Sequence, residues 1–249
     1  MIDISSYIIN GMINGYRQNL VLKTSWVELQ SSITEYLFTV NIAQELIQWN
    51  EANNYNFSIN LEEDATTFLK KGFENETVWD EFLNSDTNVV KHKKSIREGK
   101  IDIAIYDANT AKSKICIEVK SIIDNYQDFI EDVDRLSHAI GYKDKNSLNS
   151  ITEGYSVFLR RIGGEKEVSH EGGLEAKKSK ILDTTVAKHL KESMFKDIVN
   201  YETINFSISK VTGKDLQKKI EVTKMEIDYS EASEGSGEVF GALIKITRK

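Results

Sequence analysis

The sequence predicts an α/β (α+β) fold, a central mixed β-sheet flanked by helices, within a single domain over residues 1–249. Three observations carry this. A long amphipathic helical pattern occupies the first quarter of the chain. Strand-like runs then follow one another through the middle. Helical spacing returns before a further strand, so the order is helix, β-meander, helix, strand, helix, strand. A hydrophobic fraction of 40% is enough to fill one core.

Taken in order, "MIDISSYIINGMINGY" reads as part of the fold, since it lacks the basic start and long apolar stretch of a secretory leader. The segment 23–54 is the strongest helix: Trp26, Leu29, Ile33, Tyr36, Leu37, Val40, Ala43 and Ile47 recur at three- and four-residue spacing. Thr24 or Ser25 is placed to cap it, with Glu28 completing a capping box. Residues 52–64 read as loop plus a short extended piece, and 65–85 as one or two short helices. "NVVKHKK", "KIDIAIYD" and "KICIEVK" then read as strands, and 124–142 as a helix with Phe129, Ile130, Val133, Leu136 and Ile140 on one stripe. "GYSVFLRR" is a strand, and 163–173 is a polar loop flanked by glycines. A second amphipathic helix is expected over 179–201. Strands are expected near 203–211, 219–229 and 238–247, the last two forming a hairpin. The helix and hairpin make a C-terminal antiparallel extension, about 179–249, on a core of about 24–160.

Composition removes several classes. The chain has one cysteine, Cys116, so an internal disulfide is excluded, which suits a cytoplasmic location. No apolar run is long enough for a membrane span, and no Gly-rich phosphate loop is present. Net charge is −7, but it is unevenly spread. Residues 1–90 hold 4 Lys and Arg against 13 Asp and Glu, and residues 91–249 hold 28 against 26. A basic block, "KHKKSIREGK" at 91–100, follows the acidic part. Lys93, Lys94, Arg97 and Lys100 in it are candidate nucleic-acid contacts, set against a plain solvated edge strand and turn.

The chemistry lies in two strands. Alternate side chains of a strand point to opposite faces. In "KIDIAIYD", Ile101, Ile103 and Ile105 share one face, and Asp102, Ala104 and Tyr106 the other. In "KICIEVK", Ile115, Ile117 and Val119 share one face, and Cys116, Glu118 and Lys120 the other. The connector "DANTAKS" is short enough for a hairpin. With Tyr106 opposite Lys114, Asp102 falls opposite Glu118. Two adjacent carboxylates repel unless a cation lies between them, and a hard divalent ion such as Mg²⁺ or Mn²⁺ takes oxygen ligands. Lys120 on the same face is placed to orient or deprotonate a water, or to offset phosphate charge. The competing reading is an edge-strand ion pair, worth at most about 1 kcal/mol if exposed.

Gly99, Asp102 and then Glu118-Val119-Lys120 resemble the core motif of the PD-(D/E)XK nuclease superfamily, over roughly residues 24–160. Ile101 stands where the family's proline would be. The resemblance implies a restriction-endonuclease-like core, metal coordination by Asp102 and Glu118, and catalysis by Lys120. It also implies a glutamate from the preceding helix, for which Glu35 is preferred over Glu28. The expected function is metal-dependent hydrolysis of DNA, with RNA not excluded, for instance as a subunit of a bacterial defence or restriction system. The alternative is a catalytically silent subunit whose acidic first third binds a protein partner such as an ATPase or helicase.

His92, His138, His170 and His189 lack metal-ligand spacing, and Cys116 reads as a packed side chain. Arg135, His138, Arg160 and Arg161 lie where a basic side chain reaches a nucleic-acid backbone, or simply meets solvent.

Overall fold

The structure, a computed structural model, describes residues 3–24, 31–73, 99–123, 127–141, 149–162, 186–193, 195–208 and 238–249. Its elements are α1 (Ser5–Thr24), α2 (Ser31–Ala52), β1 (Phe57–Asp64), α3 (Ala65–Gly72), β2 (Lys100–Asp107), β3 (Lys112–Ile122), α4 (Gln127–Gly141), β4 (Glu153–Ile162), α5 (Ala187–Glu192), β5 (Val199–Ile208) and β6 (Glu238–Arg248). The six strands form one mixed sheet in the order β1-β2-β3-β4-β6-β5. Among the described strands only β3 and β4 pair in parallel, and α4 lies between them in sequence, as a parallel connection requires. The chain is therefore α/β, with helices on both faces of a six-stranded sheet.

Both faces are buried because alternate residues of the inner strands are apolar on each side. Ile103, Ile105, Ile115, Ile117 and Val119 pack with Ile8, Met12, Phe38, Ile42 and Leu46 of α1 and α2. On the opposite face Ala104, Tyr106, Cys116 and Phe158 pack with Phe68 of α3 and Phe129, Val133 and Ile140 of α4. Ile101, expected beside Ile103, packs in this second cluster instead. Next to it, Gly99 has φ 136° and Glu62, on the neighbouring strand, has φ 53°, so the regular pleat ends here.

Helix α1 runs against α2 through two glycines. A Cβ at Gly11 would come within 2.7 Å of Ile42 N, and one at Gly15 within 3.1 Å of Phe38 Cα. Backbone lies on the far side of both contacts, so the helices themselves must separate to admit a methyl group. Gly11→Ala is expected to cost about 1–3 kcal/mol, lowering the melting temperature by roughly 2–12 °C. Thermal unfolding followed by circular dichroism checks this. An unchanged melting temperature would mean that the crossing is looser than described.

Several expectations are corrected. Thr24 closes α1 rather than capping α2, and Ser25 and Glu28 lie outside the described residues. The neighbour of β2 away from β3 is β1, from the segment read as loop plus extended piece, and "NVVKHKK" lies outside the described residues. Of the helix expected over 179–201, residues 179–185 and 194 lie outside the described residues, Ala187–Glu192 is helical, and Val199 to Tyr201 begin β5. Its helical spacing persisted there because Phe195 and Val199 are brought together by a tight turn, with Val199 N donating to Phe195 O. Strand β6 is flanked by β4 and β5, and its expected partner 219–229 lies outside the described residues. The described C-terminal strands, β5 and β6, thus continue the main sheet.

Candidate active site

The β2–β3 hairpin keeps the expected register away from its turn, with Ile103 opposite Ile117 and Ile105 opposite Ile115. A bulge after Ile105 places Tyr106 opposite Ser113 rather than Lys114. The turn explains it: Ala111 has φ 54°, and the Asp107 carboxylate accepts from the N–H groups of Asn109 and Thr110, which tightens the loop by a residue.

At the other end of the hairpin, Asp102 turns its carboxylate into the sheet plane. Its Oδ2 accepts from Val119 N at 2.6 Å. The side chain thereby takes a backbone donor of the next strand. Burial pushes Asp102 above the usual carboxylate range, against the pull of that N–H and of Lys120. Beside it, Glu62 has a left-handed backbone that costs a non-glycine residue about 1–2 kcal/mol, a kind of strain that gathers at functional sites.

Glu118 is 1% exposed, in the third of six strands, so it is not an edge-strand residue. Its Oε1 lies 2.8 Å from Arg135 Nη2 of α4. The contact is an ion pair whose alignment falls short of a hydrogen bond. The same Nη2 donates to Asp132 Oδ1 at 2.9 Å. Lys120 Nζ lies 3.6 Å from Glu35 Oε1 and 3.7 Å from Asp132 Oδ2. Four carboxylates and two cations thus meet where α2, β2, β3 and α4 converge.

Burial dominates the electrostatics. It drives Glu118 well above the ordinary glutamate range despite Arg135, with Asp132 and Asp102 adding to the push. Burial likewise raises Asp132, to about 6, against Lys120 and Arg135. For Lys120 burial pulls the other way, but Asp132 and Glu35 outweigh it and raise its pKa. Lys120 therefore carries its proton at neutral pH and acts as a fixed positive charge, rather than as the base that sequence reasoning also allowed.

Of the residues expected at the site, Glu35, Asp102, Glu118 and Lys120 converge. Lys100 stands apart, exposed at the start of β2 and 3.5 Å from Glu62. Lys93, Lys94 and Arg97 lie outside the described residues. Arg135 is turned inward onto Glu118 rather than outward, and His138 is buried edge-on against Phe195. Arg160 donates to the Ile123 carbonyl. Cys116 is buried and burial pushes its thiol up, so it is not poised as a nucleophile.

Sequence reasoning missed Asp132. The signal was present: Asp132 falls three residues after Phe129 and four before Leu136, inside the apolar stripe of α4. An acid at a stripe position is costly unless it meets partners in the interior.

Among the described residues, no three His, Cys, Asp or Glu side chains are grouped to hold a metal ion, and the Arg135 guanidinium lies against Glu118 and Asp132. The donors nonetheless suit a hard divalent ion. All are carboxylate oxygens, and Glu118 Oε1 and Asp132 Oδ2 are buried without a hydrogen bond among the described residues. No helix among the described residues is long and apolar enough to cross a membrane. No family model, curated protein or solved structure matches the chain.

Proposed function

We propose that this protein is a metal-dependent nuclease of PD-(D/E)XK type that hydrolyses phosphodiester bonds of DNA. The observation that carries the reading is the burial of Glu118, with Asp102 and Lys120 beside it, at the centre of an apolar sheet. Such a cluster is weak as a stabilising device and costly to assemble, which is the signature of a site kept for chemistry. A helix with an acidic residue, α2, precedes the motif hairpin and a helix then a strand, α4 and β4, follow it, which agrees with the core order of the superfamily that the motif resembles.

Asp102 and Glu118 would hold Mg²⁺ or Mn²⁺, with Glu35 reaching the site from α2. The bound ion supplies a more acidic water and neutralises charge on the phosphate. The Val119 N–H fixes the Asp102 carboxylate, so that one of its oxygens is committed and the other is free to ligate. Lys120, held charged between Glu35 and Asp132, offers an ammonium to the phosphate or to the attacking water as negative charge builds up. Lys100 at the mouth of β2, with Lys93, Lys94 and Arg97 preceding it, would contact the nucleic-acid backbone.

The Arg135 contact favours a second reading, in which the fold is retained without cleavage and the acidic first third binds an ATPase or helicase. One experiment separates the two. The purified protein is incubated with Mg²⁺ or Mn²⁺ and plasmid, linear single-stranded DNA or RNA, with EDTA as control. Divalent-dependent cleavage of DNA is the expected result. No cleavage of any substrate, together with no heat on Mn²⁺ titration, would replace it with the second reading.

A further inference from the structure

We propose that Arg135 is the resident counter-cation of this site: its guanidinium holds Glu118 and Asp132 together in the metal-free protein, and a divalent ion takes its place at Glu118. The inference rests on the nuclease reading for the identity of the incoming ion. It concerns what the chain does when that ion is absent.

Three observations support it. The first is geometric: one nitrogen, Arg135 Nη2, lies 2.8 Å from Glu118 Oε1 and 2.9 Å from Asp132 Oδ1, so a single positive charge bridges acids from a strand and a helix. The second is the charge count. Glu35, Asp102, Glu118 and Asp132 face Lys120 and Arg135, leaving two negative charges over when all are ionised. One divalent ion supplies that balance. The third is incomplete satisfaction. Glu118 Oε1, Asp132 Oδ2, Arg135 Nε and Ser156 Oγ are all buried without a hydrogen bond among the described residues, and Ser156 sits opposite Glu118 in the β3–β4 register. A pair optimised only for stability would complete these bonds. Here the bridge is strong enough to prevent carboxylate repulsion and unfinished enough to be exchanged.

The guanidinium also reaches solvent: its side chain is 20% exposed, and its Nη1 packs against Gly99, where a Cβ would lie 3.3 Å away. Asp132, one turn earlier on the same helix, keeps hold of the guanidinium when Glu118 is given up to the ion.

The test is a Mn²⁺ titration by calorimetry, with melting temperatures in EDTA and in Mn²⁺, for the wild-type protein and Arg135→Gln. Removing the competitor is expected to tighten Mn²⁺ binding roughly tenfold, to lower the melting temperature in EDTA, and to enlarge the gain on adding Mn²⁺. A folded Arg135→Gln protein that binds Mn²⁺ no more tightly than wild type overturns the proposal and leaves the nuclease reading standing. If neither protein binds Mn²⁺, both fall. Should Arg135→Gln fail to fold in EDTA, the titration of Arg135→Lys decides. Its shorter, single-headed ammonium makes a poorer bridge, so tighter binding than wild type is expected, and equal or weaker binding overturns the idea.

Discussion

Glu118→Gln is expected to lower cleavage by about a thousandfold or more while the fold persists. The amide keeps the volume of the carboxylate, so the packing around a residue that is 1% exposed is undisturbed. What goes is the negative charge at the reacting centre, and losses of about 4 kcal/mol in transition-state stabilisation are usual when one such group is neutralised. Stability without metal is not expected to fall much. Burial already opposes the ionised form of Glu118, so a neutral side chain removes a desolvation cost together with the Arg135 ion pair. Glu118→Ala is a poorer test, because it opens a cavity as well. The measurement is plasmid cleavage in Mg²⁺ beside a urea unfolding curve. Wild-type cleavage by the folded glutamine variant would remove Glu118 from the site.

Lys120→Ala is expected to reduce cleavage by about 10²–10⁴-fold, the range over which a positioned charge or proton donor acts. Lys120 holds Glu35 and Asp132 at 3.6 and 3.7 Å, distances too long for tight hydrogen bonds, so its loss costs the fold little. Because its environment keeps the ammonium charged, Lys120→Arg is expected to retain more activity than Lys120→Ala. A lysine needed as a base would instead give two equally dead variants. Single-turnover rates on a DNA substrate, with melting temperatures as the folding control, distinguish these outcomes. Full activity of Lys120→Ala would sink the assignment.

Much of this was legible because the middles of β2 and β3 alternate, so parity placed Asp102, Glu118 and Lys120 on one side of a hairpin; it failed at Ile101, where the pleat ends, and after Ile105, where the bulge falls. Helix α4 buries the stripe its spacing predicts, but α2 turns a different face inward: of its expected stripe Tyr36 and Ile47 are exposed, and Phe38, Ile42, Leu46 and Trp49 are buried instead. The failures have physical causes. Helix α1 carries Gly11 and Gly15 in its interior, which weakens its local helix signal, yet those glycines are what let α2 approach. Strand β1 has a strained Glu62 and only partial burial, so its period is blurred. Arg135 read as a nucleic-acid-facing or solvated charge, since nothing local shows that α4 lays it across β3. That is a property of the parallel β3–β4 crossover, a non-local feature.

The sheet order has a consequence for biogenesis. Strand β6, the last of the described strands in sequence, sits inside the sheet and covers the length of β4 from Glu153 to Ile162. Between the two lie 75 residues, 163–237, which a ribosome takes roughly 4–15 s to add. For that interval the nascent chain carries a long apolar strand with one open edge, the kind of surface that recruits other chains. Yield in a cell is therefore expected to respond to chaperones and to translation speed across that stretch more than to the stability of the finished protein.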